Sequence, residues 1–159
     1  MTVSAEEFKQ ALQLWASSVA VVTTHSNAEG NQGMTVTAFS SVSMEPPQIL
    51  VCINEKAETG DTIQNTQHFA VNVLTEAQEA VSNEFAGGAS QQQRFANVAW
   101  QVGATGVPIL TDALMVLECQ VVNKVHAGTH WILIAEVVNT VVSTGQPILY
   151  FSGKYRHLT

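Results

Sequence analysis

The sequence predicts a mainly β protein, an antiparallel barrel carrying a few short flanking helices. Three observations lead there. Runs rich in Val, Ile and Thr recur at short spacing, about six or seven of them. Only two or three short segments show helical periodicity, and nowhere does a strand alternate with a long helix as a parallel α/β sheet requires.

In chain order, Ser4-Ala5-Glu6-Glu7 is a capping-box pattern, and Phe8, Ala11, Leu12 and Trp15 follow at helical spacing. A short amphipathic helix lying against a sheet is expected. Ser18 to Thr24 is β-branched and strand-like, and the polar turn residues HSNAEGNQG make it the first arm of a hairpin. The second arm, TVTAFSSVSM, alternates with period two. Thr35, Thr37, Phe39, Ser41 and Ser43 share one face, and Val36, Ala38, Ser40, Val42 and Met44 the other. Small hydroxyls on one face of a strand with a good apolar opposite face suit solvent, or a flat ligand with polar edges.

Pro46-Pro47 ends that strand, and the continuous apolar run Gln48 to Ile53 predicts a strand buried on both faces. Thr59 to Asn65 reads as a short helix and Phe69 to Leu74 as a strand. Thr75-Glu76-Ala77-Gln78 is a second capping-box signature, predicting a helix with Ala77, Ala80, Val81 and Phe85 on one face and an end at Gly87-Gly88. GGASQQQRF reads as a polar loop, followed by a strand near Val98 to Val102 and the turn-rich GATGVP. Two long strand-like runs, Ala113 to Val125 and Trp131 to Ser143, flank His126-Ala127-Gly128-Thr129-His130, a hairpin connection. The chain closes with Pro147 to Phe151 and the pair Tyr155-Arg156.

With 159 residues, a single domain spanning 1–159 is expected. Hydrophobic residues make up 46% and charged ones 12%, leaving little charge to cover the surface, so a homo-oligomer is expected. A net charge of -7 with six Lys plus Arg provides no basic stripe and argues against nucleic acid or an anionic membrane as partner. Cys52 and Cys119 lie in apolar runs with no CxxC neighbour, as in a reduced cytoplasm. The N-terminus lacks the basic and apolar regions of a signal peptide, and no apolar run is long enough to span a bilayer.

Neither GxGxxG nor GxxxxGK[ST] occurs, so a nucleotide would be bound in neither the Rossmann nor the P-loop manner. His126 and His130 could approach one another but lack a further ligand by spacing, which argues against a metal. His126 reads as flanking an exposed turn, and His130 as either that or a position at the barrel mouth. No GxSxG is present and neither cysteine has a polar setting, which argues against nucleophilic hydrolysis. Glu118 and Glu136 interrupt the long strands and could face solvent, an inter-strand pair or a subunit interface. Arg94, one of two arginines, follows a Gly-rich loop, and its planar fork suits a phosphate as well as it suits solvent.

Taken together, TVTAFSSVSMEPPQILVCI, FAVNVL, NEFAG with RF beyond it, GVPILTDALMVLECQVV, AGTHWILIAEV and PILYFSGKYR stand in the order and spacing of the flavin reductase family. The resemblance runs from about Phe8 to Arg156. It implies the FMN-binding split barrel, an antiparallel Greek-key split β-barrel that is usually a homodimer. It also implies reduction of FMN or FAD by NADH or NADPH, the reduced flavin passing to a partner monooxygenase. Rival readings are an FMN-binding electron carrier and another split-barrel enzyme, such as a cob(II)alamin reductase or a pyridoxamine-phosphate-oxidase relative.

By the same resemblance Thr35, Thr37, Ala38, Ser40 and Ser41 meet the flavin ring and ribityl chain. These residues fall on both strand faces, which requires the backbone to bend or bulge near Phe39. Cys52, Ile53 and Asn54 run beside the flavin, Ala57 and Thr59 belong to the turn that follows, and Phe85, Ala86 and Arg94 form the phosphate end. Glu55, Glu58 and Asp61 depart from the basic or hydroxyl-rich segment of many relatives. The usual Gly-Asp-His is here Gly128-Thr129-His130. His130 resembles a residue near nicotinamide and flavin, and Tyr155 an aromatic close to the same site. The implied chemistry is hydride transfer from nicotinamide to flavin N5, with the protein supplying orientation and electrostatics.

Overall fold

The computed structural model describes all of residues 1–159. Four short helices, α1 (Ala5–Leu12), α2 (Glu58–Thr66), α3 (Glu79–Ala86) and α4 (Gln91–Ala96), accompany twelve strands. The strands are β1 (Ser17–Ser18), β2 (Ala20–Ser26), β3 (Gly30–Val36), β4 (Phe39–Met44), β5 (Pro47–Asn54) and β6 (His68–Val73). They continue with β7 (Trp100–Val102), β8 (Pro108–Leu110), β9 (Met115–Ala127), β10 (His130–Val142), β11 (Ile148–Phe151) and β12 (Lys154–His157).

Seven strands form one antiparallel sheet in the order β3-β2-β6-β9-β10-β5-β4, with β1-β11-β12 and β7-β8 as small satellites. The two ends of the large sheet, β3 and β4, are consecutive in the chain. The barrel is thus split between them, and the bond from the Cys52 N–H to the Ala38 carbonyl (3.0 Å) ties their junction to β5. There the Phe39 N–H bonds to the Thr37 carbonyl (3.0 Å), a turn too tight for a strand. The stretch from Thr35 onward is therefore two strands, bent at Ala38 as the two-faced set of hydroxyls requires. A second irregularity falls between Ser41 and Ser43.

Period-two burial gives the sheet two cores. Ala20, Val22, Phe69, Val71, Val51, Ile53, Cys119 and Leu133 fill the barrel interior. Val19, Val21, Ala70 and Val116 face outward against Phe85, Phe95, Ile109 and Leu110 from the helices and the β7-β8 hairpin. β2 and β6 are buried on both sides, whereas β5 is not: Ile49, Val51 and Ile53 are buried, but Leu50 and Cys52 on its other face are half-exposed. α1 carries the expected capping box but buries no residue, leaving Phe8 and Trp15 in solvent. The Thr75 signature also resolves differently. The Gln78 side chain accepts from the Thr75 N–H (2.9 Å) and closes a turn, and α3 starts only at Glu79. The supposed loop GGASQQQRF holds α4, capped reciprocally by Ser90 and Gln93.

Three polar devices fix the layers. Asn72, fully buried, donates to the Val21 carbonyl (2.9 Å) and to Thr23 Oγ1 (3.0 Å) and accepts from the Leu110 N–H (2.8 Å), sewing β8 onto β2 and β6. Gly33 lets the helices reach β3, since a Cβ there would stand 2.7 Å from Phe85 Cε1. Its N–H donates to Gln91 Oε1 (2.8 Å) and its carbonyl accepts from Arg94 Nη1 (2.7 Å), so α4 satisfies the free edge of β3.

Of its expected alternatives Glu118 takes the inter-strand pair, in register with Asn139 of β10. Its buried carboxylate clamps the loop before β8, accepting from the Ala104 N–H (3.1 Å), the Thr105 N–H (2.9 Å), Thr105 Oγ1 (2.7 Å) and Asn139 Nδ2 (2.6 Å). Burial pushes its pKa up, but hydrogen bonds from Thr105, Asn139 and Ala104 more than offset this and hold it below the ordinary 4.5. Burial and the Glu118 charge push the neighbouring Cys119 thiol up to about 12. Glu136 is half-buried, in register with Gln48 and Gln120.

A native pKa below the unfolded one gives stability that is fully present above 4.5 and is lost as pH falls through the native value. Glu118→Gln, which leaves backbone donors facing an amide, is expected to cost about 2 kcal/mol near neutral pH and to flatten the acid side of the stability curve. Urea melts across that range check this, and an unchanged acid slope would contradict the clamp. Gly33→Ala is expected to cost about 1–3 kcal/mol by forcing Phe85 aside. The same melts test it, and a neutral outcome would mean that α3 moves freely against β3.

Candidate functional site

The split edge of the barrel opens a cleft of about 1100 Å³. Its floor is β3, through Gln32, Met34 and Thr35. One wall runs from Ser82 in α3 to Arg94 in α4, the other is the start of α2, and the β11-β12 hairpin adds Tyr150, Gly153 and Tyr155. That hairpin turns at Ser152 and Gly153, both with positive φ (54° and 74°), the backbone a tight two-residue turn demands.

The cleft is held rigidly on the α3 side. Thr35 Oγ1 donates to the Ser82 carbonyl (2.7 Å), Ser82 Oγ meets the Tyr155 hydroxyl (2.6 Å), and that hydroxyl donates to Asn83 Oδ1 (3.0 Å). Tyr150 packs edge-on against Tyr155 with centroids 5.6 Å apart. Arg94 spreads its fork over three carbonyls, Gly33 (2.7 Å), Ala89 (3.1 Å) and Gly87 (3.5 Å), and no carboxylate neutralises it. It braces the α3-α4 loop while leaving a positive charge at the wall.

The opposite wall is different. α2 has Ala57 as its cap with no side-chain hydrogen bond, so the N–H groups of Glu58 and Thr59 lack intrahelical partners. Acidic Glu58 and Asp61 occupy its first turn. Nearby, Gln32 is 5% exposed and its Oε1 is buried without a hydrogen-bond partner. A surface with apolar Met34 and Phe85, aromatic Tyr155, unpaired backbone donors and an unsatisfied amide suits a flat, polar-edged ligand of flavin size.

Of the residues expected at the site, Thr35, Thr37, Ala57, Thr59, Phe85, Ala86, Arg94 and Tyr155 converge on this cleft. Ala38, Ser40 and Ser41 lie exposed just past the bend, Cys52 and Asn54 on β5 beside it, and Ile53 is completely buried in the core. His130 is paired with Asn54 across β10 and β5, outside the cleft walls, and its Nδ1 meets Thr129 Oγ1 (2.9 Å). The Thr129 carbonyl accepts from the Glu55 N–H (2.9 Å), so the hairpin tip steadies the segment leading into α2. His126 lies at the end of β9, flanking the turn, and its Nε2 is within hydrogen-bond distance of Glu55 Oε2 (2.6 Å). Sequence reasoning missed Gln32, Ser82, Asn83 and Gln91. None carries a local signal, because their roles arise only where α2, α3 and α4 meet β3.

Residues 12–159 match the family model described as the flavin reductase like domain. The NADH-dependent FMN reductase of Pseudomonas syringae pv. syringae is 40% identical over 157 residues, covering 98% of this chain and 88% of that protein. The reductase component of the FADH(2)-dependent resorcinol hydroxylase of a Rhizobium species is 39% identical, covering 94% of this chain and 85% of its own length. The solved NADH:FAD oxidoreductase of Streptomyces globisporus, in complex with NAD and FAD fragments, superposes with a TM-score of 0.92 at 27% identity, covering 100% of this chain and 97% of that one. With the family model matching nearly the whole chain and a mainly β split barrel beneath it, this protein belongs to the flavin reductase like family.

Proposed function

We propose that the protein is an NAD(P)H-dependent flavin reductase that supplies reduced FMN or FAD to a partner monooxygenase. The observation that carries this is the cleft at the split edge, where eight of the expected residues meet. Relatives named as NADH-dependent FMN reductases and as reductase components of monooxygenases support it.

Thr35, Thr37, Phe85, Ala86 and Tyr155 would hold the flavin, with Arg94 supplying positive charge at the wall. A bound flavin would supply the hydride-accepting centre for a nicotinamide donor. The chain's own residues orient and exclude water: Met34 and Phe85 give apolar contact, and the Ser82-Tyr155-Asn83 chain keeps the wall in one conformation. No side chain on the cleft wall has a role as obligatory acid or base. His130 acts as a positioning residue through the Thr129-Glu55 link to the start of α2.

We also read the protein as a homodimer. Leu50, Cys52, Ile132 and Ile134 share the outer face of β5 and β10 and are half-exposed, and Phe8 of α1 and Trp15 just beyond it stand uncovered. With both cysteines free and a nicotinamide donor, the compartment that fits is the cytoplasm. No helix is long and apolar enough to cross a membrane.

The purified protein is expected to oxidise NADH rapidly only when FMN or FAD is added, followed by nicotinamide absorbance. A flavin-indifferent protein would overturn the reading, and a yellow protein that barely oxidises either nicotinamide would favour an electron carrier. His130→Ala should raise the KM for NADH about tenfold while leaving flavin affinity unchanged. Unchanged NADH kinetics would remove His130 from the account. Light scattering should give a mass near twice 17.1 kDa, and Ile134→Lys should halve it. A parent mass of one chain would contradict the dimer.

A further inference from the structure

The start of α2 does not hold itself in place. Its cap residue, Ala57, offers no side chain to the first turn, and Glu55 and Lys56 before it are exposed. The β9-β10 hairpin steadies this segment through four links spread along its length. The Thr129 carbonyl at the hairpin tip accepts from the Glu55 N–H (2.9 Å), and His126 Nε2 meets Glu55 Oε2 (2.6 Å). Further along, Lys124 Nζ donates to Gln64 Oε1 (2.9 Å), and the Val121 N–H donates to the carbonyl of Gln67, which caps the helix end (2.8 Å).

Of these four links, only the His126-Glu55 contact changes charge between about pH 5 and 8, where an imidazole gains or loses its proton. Nε2 donates to the carboxylate in the imidazolium and in one neutral tautomer, and the positive charge strengthens the bond. The ring is held for this role by Trp131, its partner across β9 and β10, at a centroid distance of 4.8 Å. The other titratable groups on the joined segments are Lys124 on β9, His130 on β10, Lys56 after β5, Glu58 and Asp61 in the first turn of α2, and His68 at the far end of the helix. Lys124 is engaged by Gln64, His130 Nδ1 by Thr129 Oγ1 (2.9 Å) and His68 Nδ1 by the Thr66 carbonyl (3.1 Å). Glu55 is the one carboxylate within ion-pair distance of His126.

We propose that His126 is a positioning residue for the reaction, a role that rests on reading the cleft as a flavin reductase site. It clasps Glu55 and holds the start of α2, more firmly when its ring is protonated. With the flavin on Thr35, Phe85 and Tyr155, residues 57–59 of the α2 wall bound the space left to the nicotinamide. A firm wall at acid pH and a looser one at alkaline pH therefore act on NADH binding and not on the hydride step.

Amide hydrogen exchange over residues 55–60 of the ligand-free protein tests the clasp itself, read as protection factors so that the intrinsic pH dependence of exchange cancels. Protection in the parent should be about threefold higher at about pH 5.5 than at about pH 8, which is within reach of an exposed charge pair. His126→Gln, which keeps a donor but never charges, should give the low value at both, and His126→Lys, charged throughout, the high one. Kinetics at the same two pH values test the consequence. The parent's KM for NADH should rise about threefold from the acid to the alkaline value with kcat unaffected by the clasp, and the rise should vanish in both variants.

Protection in the parent that does not change with pH would overturn the proposal. So would a pH dependence that survives His126→Gln, since it would then belong to His130 or His68. A clasp that titrates as expected, with the rise in KM retained in both variants, would remove the positioning role. Should His126→Lys fail to fold, Glu55→Gln serves, because it removes the charge from the other side and should give the low protection at both pH values. If the clasp titrates as expected but no flavin binds, the flavin reading beneath the proposal fails instead.

Discussion

The absence of a side chain at Gly33 is the constraint on which the cleft depends. β3 is an edge strand with one row of backbone groups unpaired, and a sheet edge left open is a hazard. The Phe85 ring closes to within the space a Cβ would occupy, and Gln91 and Arg94 satisfy the Gly33 amide and carbonyl. α3 and α4 are thereby fixed as a wall parallel to the edge. The space between that wall and the start of α2 is the cleft, so protection of the edge and formation of the site are one arrangement.

The barrel is split at the same edge strand. β3 and β4 are not paired with one another although they are consecutive in the chain; the backbone bends at Ala38, and the Cys52 N–H to Ala38 carbonyl bond ties the bend to β5. The interior core keeps the remaining strands in register, and the second core, anchored by Asn72 and Glu118, presses the helices and the β7-β8 hairpin onto the outer face. Rigidity therefore comes from two sides while the split edge remains open. A protein that positions two ring systems for hydride transfer needs fixed walls more than it needs reactive side chains.

Much of this was legible in the sequence, for identifiable reasons. Alternation in β4, β9 and β10 and the apolar run of β6 are long enough to report strands, whereas most of β3 reads as turn; the two-faced set of residues around Phe39 required the bend found at Ala38. The order of motifs carried Thr35, Phe85, Arg94 and Tyr155 to one place. What failed was short or tertiary. α4 spans six residues, too few for periodicity to show against a Gly, Ser and Gln background, although Ser90 and Gln93 spelled its cap. α1 has an apolar stripe that predicts contact, yet nothing in the single chain covers it. Gln32 reads as a turn residue, and only the folded chain shows that its amide oxygen is buried without a partner. Glu118 could not be placed because its donors come from a loop and a strand remote in the sequence.

The central claim is that flavin occupies the cleft between β3, the start of α2 and the α3-α4 wall. Amide hydrogen exchange with and without saturating FMN tests it most directly, because it reports location independently of turnover. The account predicts added protection concentrated in residues 57–60, 82–94 and 153–155, with the β7-β8 hairpin unchanged. Protection confined to the outer face of β5 and β10, or absent from all three segments, would contradict it.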